Sequence, residues 1–184
     1  MCPHCLTEKL LDTLKYFTDY ILKCHPNPDI FYYDVGDGNI DHGYWGPPET
    51  QTGPRPVKIA SPGSDMCGQA AAALALMSLN DGGPYGEQCL AAAKTIYALG
   101  LNDPANSGFS PYYASYSHYD DLSWGGIWLY FATNDTSYLE PIDAWLDIPN
   151  DFNDDNYNYQ WALCYNDVIP LVLLKMAEIT GDQK

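Results

Sequence analysis

The sequence predicts an all-α domain. Three observations carry that prediction. Apolar residues recur at helical spacing, one run (AAAALAL) is all small or straight-chain, and no segment reads as a convincing strand. Between the runs lie long loops dense in glycine, proline, aromatic and acidic residues. Helices alternating with decorated loops point to an α/α arrangement whose connections carry the function. At 184 residues the chain is one domain's worth, and residues 1–184 read as a single domain.

The first helix is predicted over residues 6–24. Leu10, Leu14, Phe17 and Ile21 recur at helical spacing, joined by Leu11 and Leu22, and Pro26 and Pro28 end it. Residues 27–63 then form a loop too long to be a mere connection. Its centre, residues 33–49, reads YDVGDGNIDHGYWGPPE, and glycine and proline that dense exclude helix or central strand. Flat aromatic faces (Tyr44, Trp45) stand there beside carboxylates (Asp34, Asp37, Asp41) and an imidazole (His42). That mixture suits a sugar, which offers C–H faces to rings and hydroxyls to polar groups.

Ser64 is placed to cap a helix over 65–79, whose AAAALAL core lets a neighbouring helix approach closely. Residues 80–84 read as a turn. A third helix spans 86–99, with Gly100 as its stop. Residues 111–126, PYYASYSHYDDLSWGG, lead into a helix ending near Ala132, and Asn134-Asp135-Thr136 caps a short helix to about Leu146. An acidic, Asn-rich loop follows over 149–158. The last helix runs over 167–180, with Pro170 tolerated in its first turn and Gly181 as its stop.

The net charge of −16, from 8 basic against 24 acidic residues, repels a nucleic-acid backbone or an anionic membrane, so neither is an expected partner. A neutral polymer meets no such barrier. No run reaches the ~18 apolar residues of a membrane span. Met1 leads directly into Cys2-Pro3-His4-Cys5, with no basic region or apolar run, so no signal peptide is read in this chain. The cysteines at 2, 5, 24, 67, 89 and 164 are too dispersed for a disulfide scaffold; Cys67, Cys89 and Cys164 read as small buried hydrophobes in helical runs. Cys2, Cys5, Cys24 and His25, with His4 nearby, hold enough ligands for tetrahedral zinc, but their spacing resembles no standard zinc ribbon, and a frayed terminus is the alternative. Asp151-x-Asn153-x-Asp155 fails as a calcium loop, because Asn156 stands where glycine is needed and Ala162 where a bidentate Glu is needed.

Four segments share one resemblance. Asp41-His42-x-x-Trp45-Gly46-Pro47-Pro48-Glu49 resembles a DHxxWGxPE signature, and Ser61-Pro62-Gly63-Ser64-Asp65 before an Ala-rich helix resembles SPGSD…AA. The stretch from Tyr116 through Ser117, His118, Tyr119, Asp120, Asp121 and Leu122 to Trp124-Gly125 resembles YSGYxDELxWGA, and Trp161-x-x-x-Tyr165-Asn166-Asp167 resembles a WDD segment. All four belong to the family 9 glycoside hydrolases, mostly cellulases, and occur in that family's order and at about its spacing. The resemblance covers nearly the whole chain.

It implies an (α/α)6 toroid with an open cleft, of which this chain supplies about half. His42 and Trp45 would line glucose subsites, Tyr112, Tyr113 and Tyr116 would continue the aromatic floor, and Trp161 would form a further platform; the alternative is that these rings fill a helical core. Asp34, Asp37 and Asp41 would then be acids that shape the loop. By the same resemblance calcium would take backbone oxygens of Ser117 and His118, carboxylates of Asp120 and Asp121, and the Asn166 amide. The segment is one residue shorter than the family pattern, and Asn166 replaces an acid, so the site has lost a charge; Asp120 and Asp121 would serve equally to cap the next helix.

The family hydrolyses β-1,4-glucosidic bonds with inversion, using a carboxylate base and a carboxylic acid roughly 6.5–9.5 Å apart. Neither of the motifs that carry them is found in this sequence, and Asp37, within Val35-Gly36-Asp37-Gly38, belongs to the DHxxW segment. No catalytic residue is therefore assigned. The resemblance implies a cellulase segment that binds β-glucan or cello-oligosaccharide, acting outside the cell on a polymer and inactive by itself. The alternatives are a non-catalytic glucan binder and a structural half-toroid that pairs with itself or with the remainder of the barrel.

Overall fold

The computed structural model describes residues 3–61, 63–107, 112, 115, 117–146, 163–164 and 166–181. Among them are seven α-helices: α1 (Pro3–Lys23), α2 (Gly38–Gly43), α3 (Ser64–Asn80), α4 (Pro84–Asn102), α5 (Tyr119–Thr133), α6 (Glu140–Leu146) and α7 (Ile169–Thr180). The all-α expectation holds, with two corrections inside the segment read as loop. Residues 38–43, where glycine and proline density is expected to exclude helix, form α2, because the Asp37 side chain caps its first turn. The 27–63 segment also contains a hairpin, β1 (Tyr32–Val35) paired antiparallel with β2 (Val57–Ile59). Strands of four and three residues are too short to display alternation, and their partners lie far apart in sequence. Lys58 pairs with Asp34 across the hairpin at 2.6 Å.

Helix α3 is the centre of the fold and packs against α4 and α5, with α1 on a third side. Ala70, Ala71, Leu74, Ala75 and Met77 on α3 meet Cys89, Ala93, Ile96 and Tyr97 of α4 in one core. A second core joins α5, α6 and α7 through Ile127, Ile142, Ile169, Val172 and Met176. The small residues of α3 do what their pattern predicts. At Gly68 a Cβ would stand 2.3 Å from the backbone of Asp121, so α3 and α5 touch main chain to main chain.

Three local expectations are corrected. Helix α4 runs through Gly100 instead of stopping there; that glycine faces the Cys67 side chain, where a Cβ would come within 2.8 Å. Ser64 lies inside the first turn of α3, behind Gly63 at the cap position, and its hydroxyl donates to the Gly100 carbonyl at 2.7 Å. Cys164 is exposed and sits in a bridge with Asp167, outside any helix, whereas Cys67 and Cys89 are buried as expected. Other signals read correctly. Pro170 sits at the start of α7, and Gly181 ends it at φ 71°.

Helix α1 departs most from its predicted amphipathic face. Leu11, Ile21 and Leu22 pack on the core, and Thr18 and Lys15 tie the helix to Tyr85 and Asp81 at 2.7 Å each. Leu10 and Leu14, however, are exposed, as are Tyr16, Phe17 and Tyr20, with Phe17 60% accessible. The apolar arc is wider than the surface this chain offers it. On α7, Leu173 and Leu174 are exposed in the same way.

Candidate functional site

The glycine-rich loop is built on its own acids. Asp37 caps α2, its Oδ1 accepting from the backbone N–H of Asn39 at 2.9 Å and of Ile40 at 3.1 Å. Asp41 accepts from Arg55 Nη1 at 2.5 Å and Gln51 Nε2 at 2.8 Å, and Arg55 Nη2 donates to the Val35 carbonyl. Gly36 adopts φ 125°, where a side chain would be strained and would strike Asp41 and Arg55. With Asp34 paired to Lys58, all three acids are engaged in shaping the loop. Replacing Asp37 by alanine should cost about 1 kcal/mol, the usual value of an N-cap, read as a lower urea midpoint.

On this frame the sequence-predicted residues come together in part. His42, in the last turn of α2, is exposed; its Nδ1 lies 2.8 Å from the Gly38 carbonyl oxygen. Tyr112 arrives from a distant loop and stacks on the imidazole, ring centres 3.7 Å apart and planes 6° from parallel. Its hydroxyl donates to Asn39 Oδ1 at 3.1 Å. Trp45 is fully exposed two residues after α2. Tyr113, Tyr116 and Trp161 lie outside the described residues, as does the 151–156 acidic segment.

A second set of contacts, not assigned from sequence, anchors the loop that leads toward Tyr112. Asp65, fully buried, accepts from Ser107 N at 2.8 Å and Ser107 Oγ at 2.7 Å. The Tyr33 hydroxyl donates to the Ser107 carbonyl at 2.8 Å, joining β1 to the same point. The Ser64 hydroxyl accepts from Ala105 N at 3.1 Å. The visible signal was Ser-Asp at a helix start, which reads locally as a cap; its long-range use cannot be read from spacing.

The predicted calcium residues cluster at the start of α5. Asp120 is buried, its Oδ2 accepting from Val168 N at 3.1 Å, and its Oδ1 has no hydrogen-bond partner among the described residues. Asp121 is buried and accepts from Gln69 Nε2 at 2.6 Å. Burial pushes the Asp120 carboxyl up to about 6, aided by the nearby Asp167 charge and opposed by backbone N–H donors. Burial, then the charge of Asp120, pushes Asp121 up to about 9. The Ser117 carbonyl accepts from the Ser115 hydroxyl, and the His118 carbonyl from Leu122 N. Asn166 lies half-buried next to Asp167. Among the described residues no three His, Cys, Asp or Glu side chains converge as a metal group. A cation here would rely on two carboxylates supplemented by carbonyl and amide oxygens. Two adjacent buried carboxyls, both shifted toward the protonated form by burial, and a carboxylate oxygen without a hydrogen-bond partner among the described residues are donors of the kind a hard divalent cation takes.

The zinc candidates fare differently. Cys24 is a buried free thiol, and both ring nitrogens of His25 are engaged, Nδ1 with the Ile30 carbonyl at 2.8 Å and Nε2 with Thr95 Oγ1 at 2.6 Å. Cys2 and the side chain of Cys5 lie outside the described residues.

Comparison with known proteins is consistent with the helical architecture and the loop. The family model of Glycosyl hydrolase family 9 matches residues 4–184. Endoglucanase 4 of Bacillus sp. (strain KSM-522) is 37% identical over 195 residues, covering 97% of this chain and 29% of its own length. An endoglucanase of Dictyostelium discoideum is 41% identical over 146 residues, covering 73% of this chain and 21% of its own. Among solved structures, the cellulase Cel9M of C. cellulolyticum in complex with cellobiose superposes with TM-score 0.86 at 43% identity, over 96% of this chain and 42% of that one. Endoglucanase CelQ from Clostridium thermocellum complexed with cellotriose gives 0.81 at 31%, over 95% and 29%. The chain thus spans less than a third of the curated relatives it matches.

Proposed function

Because the chain belongs to glycosyl hydrolase family 9, we propose that it supplies part of the substrate cleft of an endoglucanase that hydrolyses β-1,4-glucan. The observation that carries this is a fully exposed Trp45 three residues from an exposed, oriented His42, on a loop strapped down by Asp34, Asp37 and Asp41. A bare indole on a rigid loop is a liability in water and an asset against a sugar face. Tyr112 stacks on His42, and Tyr113, Tyr116 and Trp161 extend the aromatic surface in the proposal. The substrate class is cello-oligosaccharide or the polymer itself, which places the action outside the cell.

The general base and acid lie in parts of the family fold beyond these motifs, so the chain alone binds glucan and does not cleave it. The three loop acids support this reading, since each is held by a cation or a helix cap. Release of reducing sugar from soluble cellulose by the purified chain, above a matched blank, overturns the inactive reading. In calorimetric titration with cellohexaose, Trp45→Ala should weaken binding about tenfold, the equivalent of ~1.4 kcal/mol. Unchanged affinity removes the platform.

Calcium belongs to the same proposal. Asp120 and Asp121, with carbonyl oxygens of Ser117 and His118 and the Asn166 amide, would hold it. Its role would be to neutralise the buried acids and fasten α5 to the segment before α7.

A second reading rests on the exposed apolar faces of α1 and α7. These would be covered by the remainder of a barrel or by a second copy of the chain. Light scattering decides between them: a monomer mass for the isolated chain, unaltered in Phe17→Lys, excludes the dimer.

A further inference from the structure

The orientation of His42 is set by a group that sequence motifs do not pair with it. A carbonyl oxygen only accepts, so the 2.8 Å contact with Gly38 O puts the proton of the neutral imidazole on Nδ1 and leaves Nε2 as a bare acceptor. Tyr112 lies flat on this same ring at 3.7 Å. Its own position is fixed at two further points. Its hydroxyl donates to Asn39 Oδ1 at 3.1 Å, and its ring edge fills the space at Gly38, where a Cβ would stand 2.8 Å from Cδ2 and Cε2. One aromatic ring therefore lies against both partners of the Gly38–His42 hydrogen bond. Helix α2 has only six residues and cannot hold itself in water. With Asp37 at its start and Tyr112 across its side, it is fastened at both ends.

We propose that Tyr112 is a positioning residue: it holds His42 in the Nδ1–H form so that Nε2, at the ring edge, accepts a hydrogen bond from a sugar hydroxyl. The proposal rests on the loop being a sugar site. It gives the site a polarity, because the partner at that point must donate, and a sugar bearing an ether or acetyl ester in place of that hydroxyl is refused. Tyr112 then acts through His42, one of its faces being given over to the imidazole.

Long-range 1H–15N correlation on the labelled chain at about pH 8 reads the tautomer directly. Wild type should show His42 protonated at Nδ1, with its ring protons shifted upfield by the stacked tyrosine. Tyr112→Leu should lose that upfield shift, move the ring toward the Nε2–H form and weaken cellohexaose binding about tenfold. Tyr112→Phe keeps the stack and should retain the tautomer and affinity within about threefold. Gly38→Ala pushes the tyrosine away and should reproduce the Leu variant without touching either ring.

An Nε2–H imidazole in the wild type overturns the proposal. So does a Tyr112→Leu variant that loses affinity while His42 keeps its tautomer and shifts, which would make Tyr112 a direct sugar platform. If the wild type binds no cello-oligosaccharide, the sugar reading falls, and the tautomer data still decide whether Tyr112 positions His42.

Discussion

Gly68→Ala should destabilise the fold by about 3 kcal/mol, at the upper end of what a single added methyl does in a packed core. In an ordinary helix interior the same change stabilises by as much as ~1 kcal/mol, so the expected sign is reversed. The reason is where the methyl would go. It would stand 2.3 Å from the carbonyl carbon and oxygen of Asp121 and 2.7 Å from the Leu122 nitrogen, all main-chain atoms that cannot rotate aside. At Gly125, on the other helix, a Cβ would stand 2.8 Å from the Gly68 carbonyl oxygen, so α3 and α5 cross on two facing glycines. Relief requires the helices to separate, which opens the core around Leu74 and Leu122. Gly82, with nothing within 4 Å of its Cβ position, is the control. Urea unfolding should show a large fall in midpoint for Gly68→Ala and almost none for Gly82→Ala.

Calcium should raise the melting temperature by about 5–10 °C at a hundredfold excess over its dissociation constant. That excess contributes about 2.7 kcal/mol, and a chain of this size moves about 2–4 °C per kcal/mol. The gain should grow with pH. Asp120 and Asp121 have ordinary carboxyl values near 3.8 when unfolded and are raised in the fold, to about 6 and about 9, chiefly by burial. Their contribution without metal is therefore fully present below about pH 4 and is lost as pH climbs through 6 and on through 9. A divalent cation favours the ionised forms, so binding releases protons and tightens as pH rises. Thermal scans at pH 5 and pH 8, with calcium and with chelator, should diverge more at pH 8. The double variant Asp120→Asn, Asp121→Asn should abolish both the divergence and the pH slope. Equal calcium shifts at both pH values, or none, refute the assignment of these oxygens as ligands.

The helices were legible because their signals are local. Pro170 and Gly181 bound α7, and Asn134-Asp135 breaks the chain after α5, as their chemistry requires. The hairpin was not legible, since β1 finds β2 across more than twenty intervening residues. Gly100 shows how a local rule misleads. Glycine near a helix end usually stops it, but here it makes room for Cys67 of a neighbouring helix. The candidate site was legible as a set of residue types and not as an arrangement. Nothing in the spacing of His42 and Tyr112, seventy residues apart, says that one lies on the other, and nothing in Ser64-Asp65 announces Ser107.

The uncovered side of α1 also governs how this protein behaves as a colloid. Tyr16, Phe17 and Tyr20 present a wet aromatic strip on a molecule of net charge −16. At low ionic strength the charge keeps such strips apart over tens of ångströms, about 30 Å at 0.01 M salt. At 1 M the screening length shrinks to about 3 Å, and a strongly excluded salt such as sulfate strengthens apolar contact at the same time. The chain should therefore salt out early and redissolve on dilution, and Phe17→Lys should move that threshold upward without altering the fold.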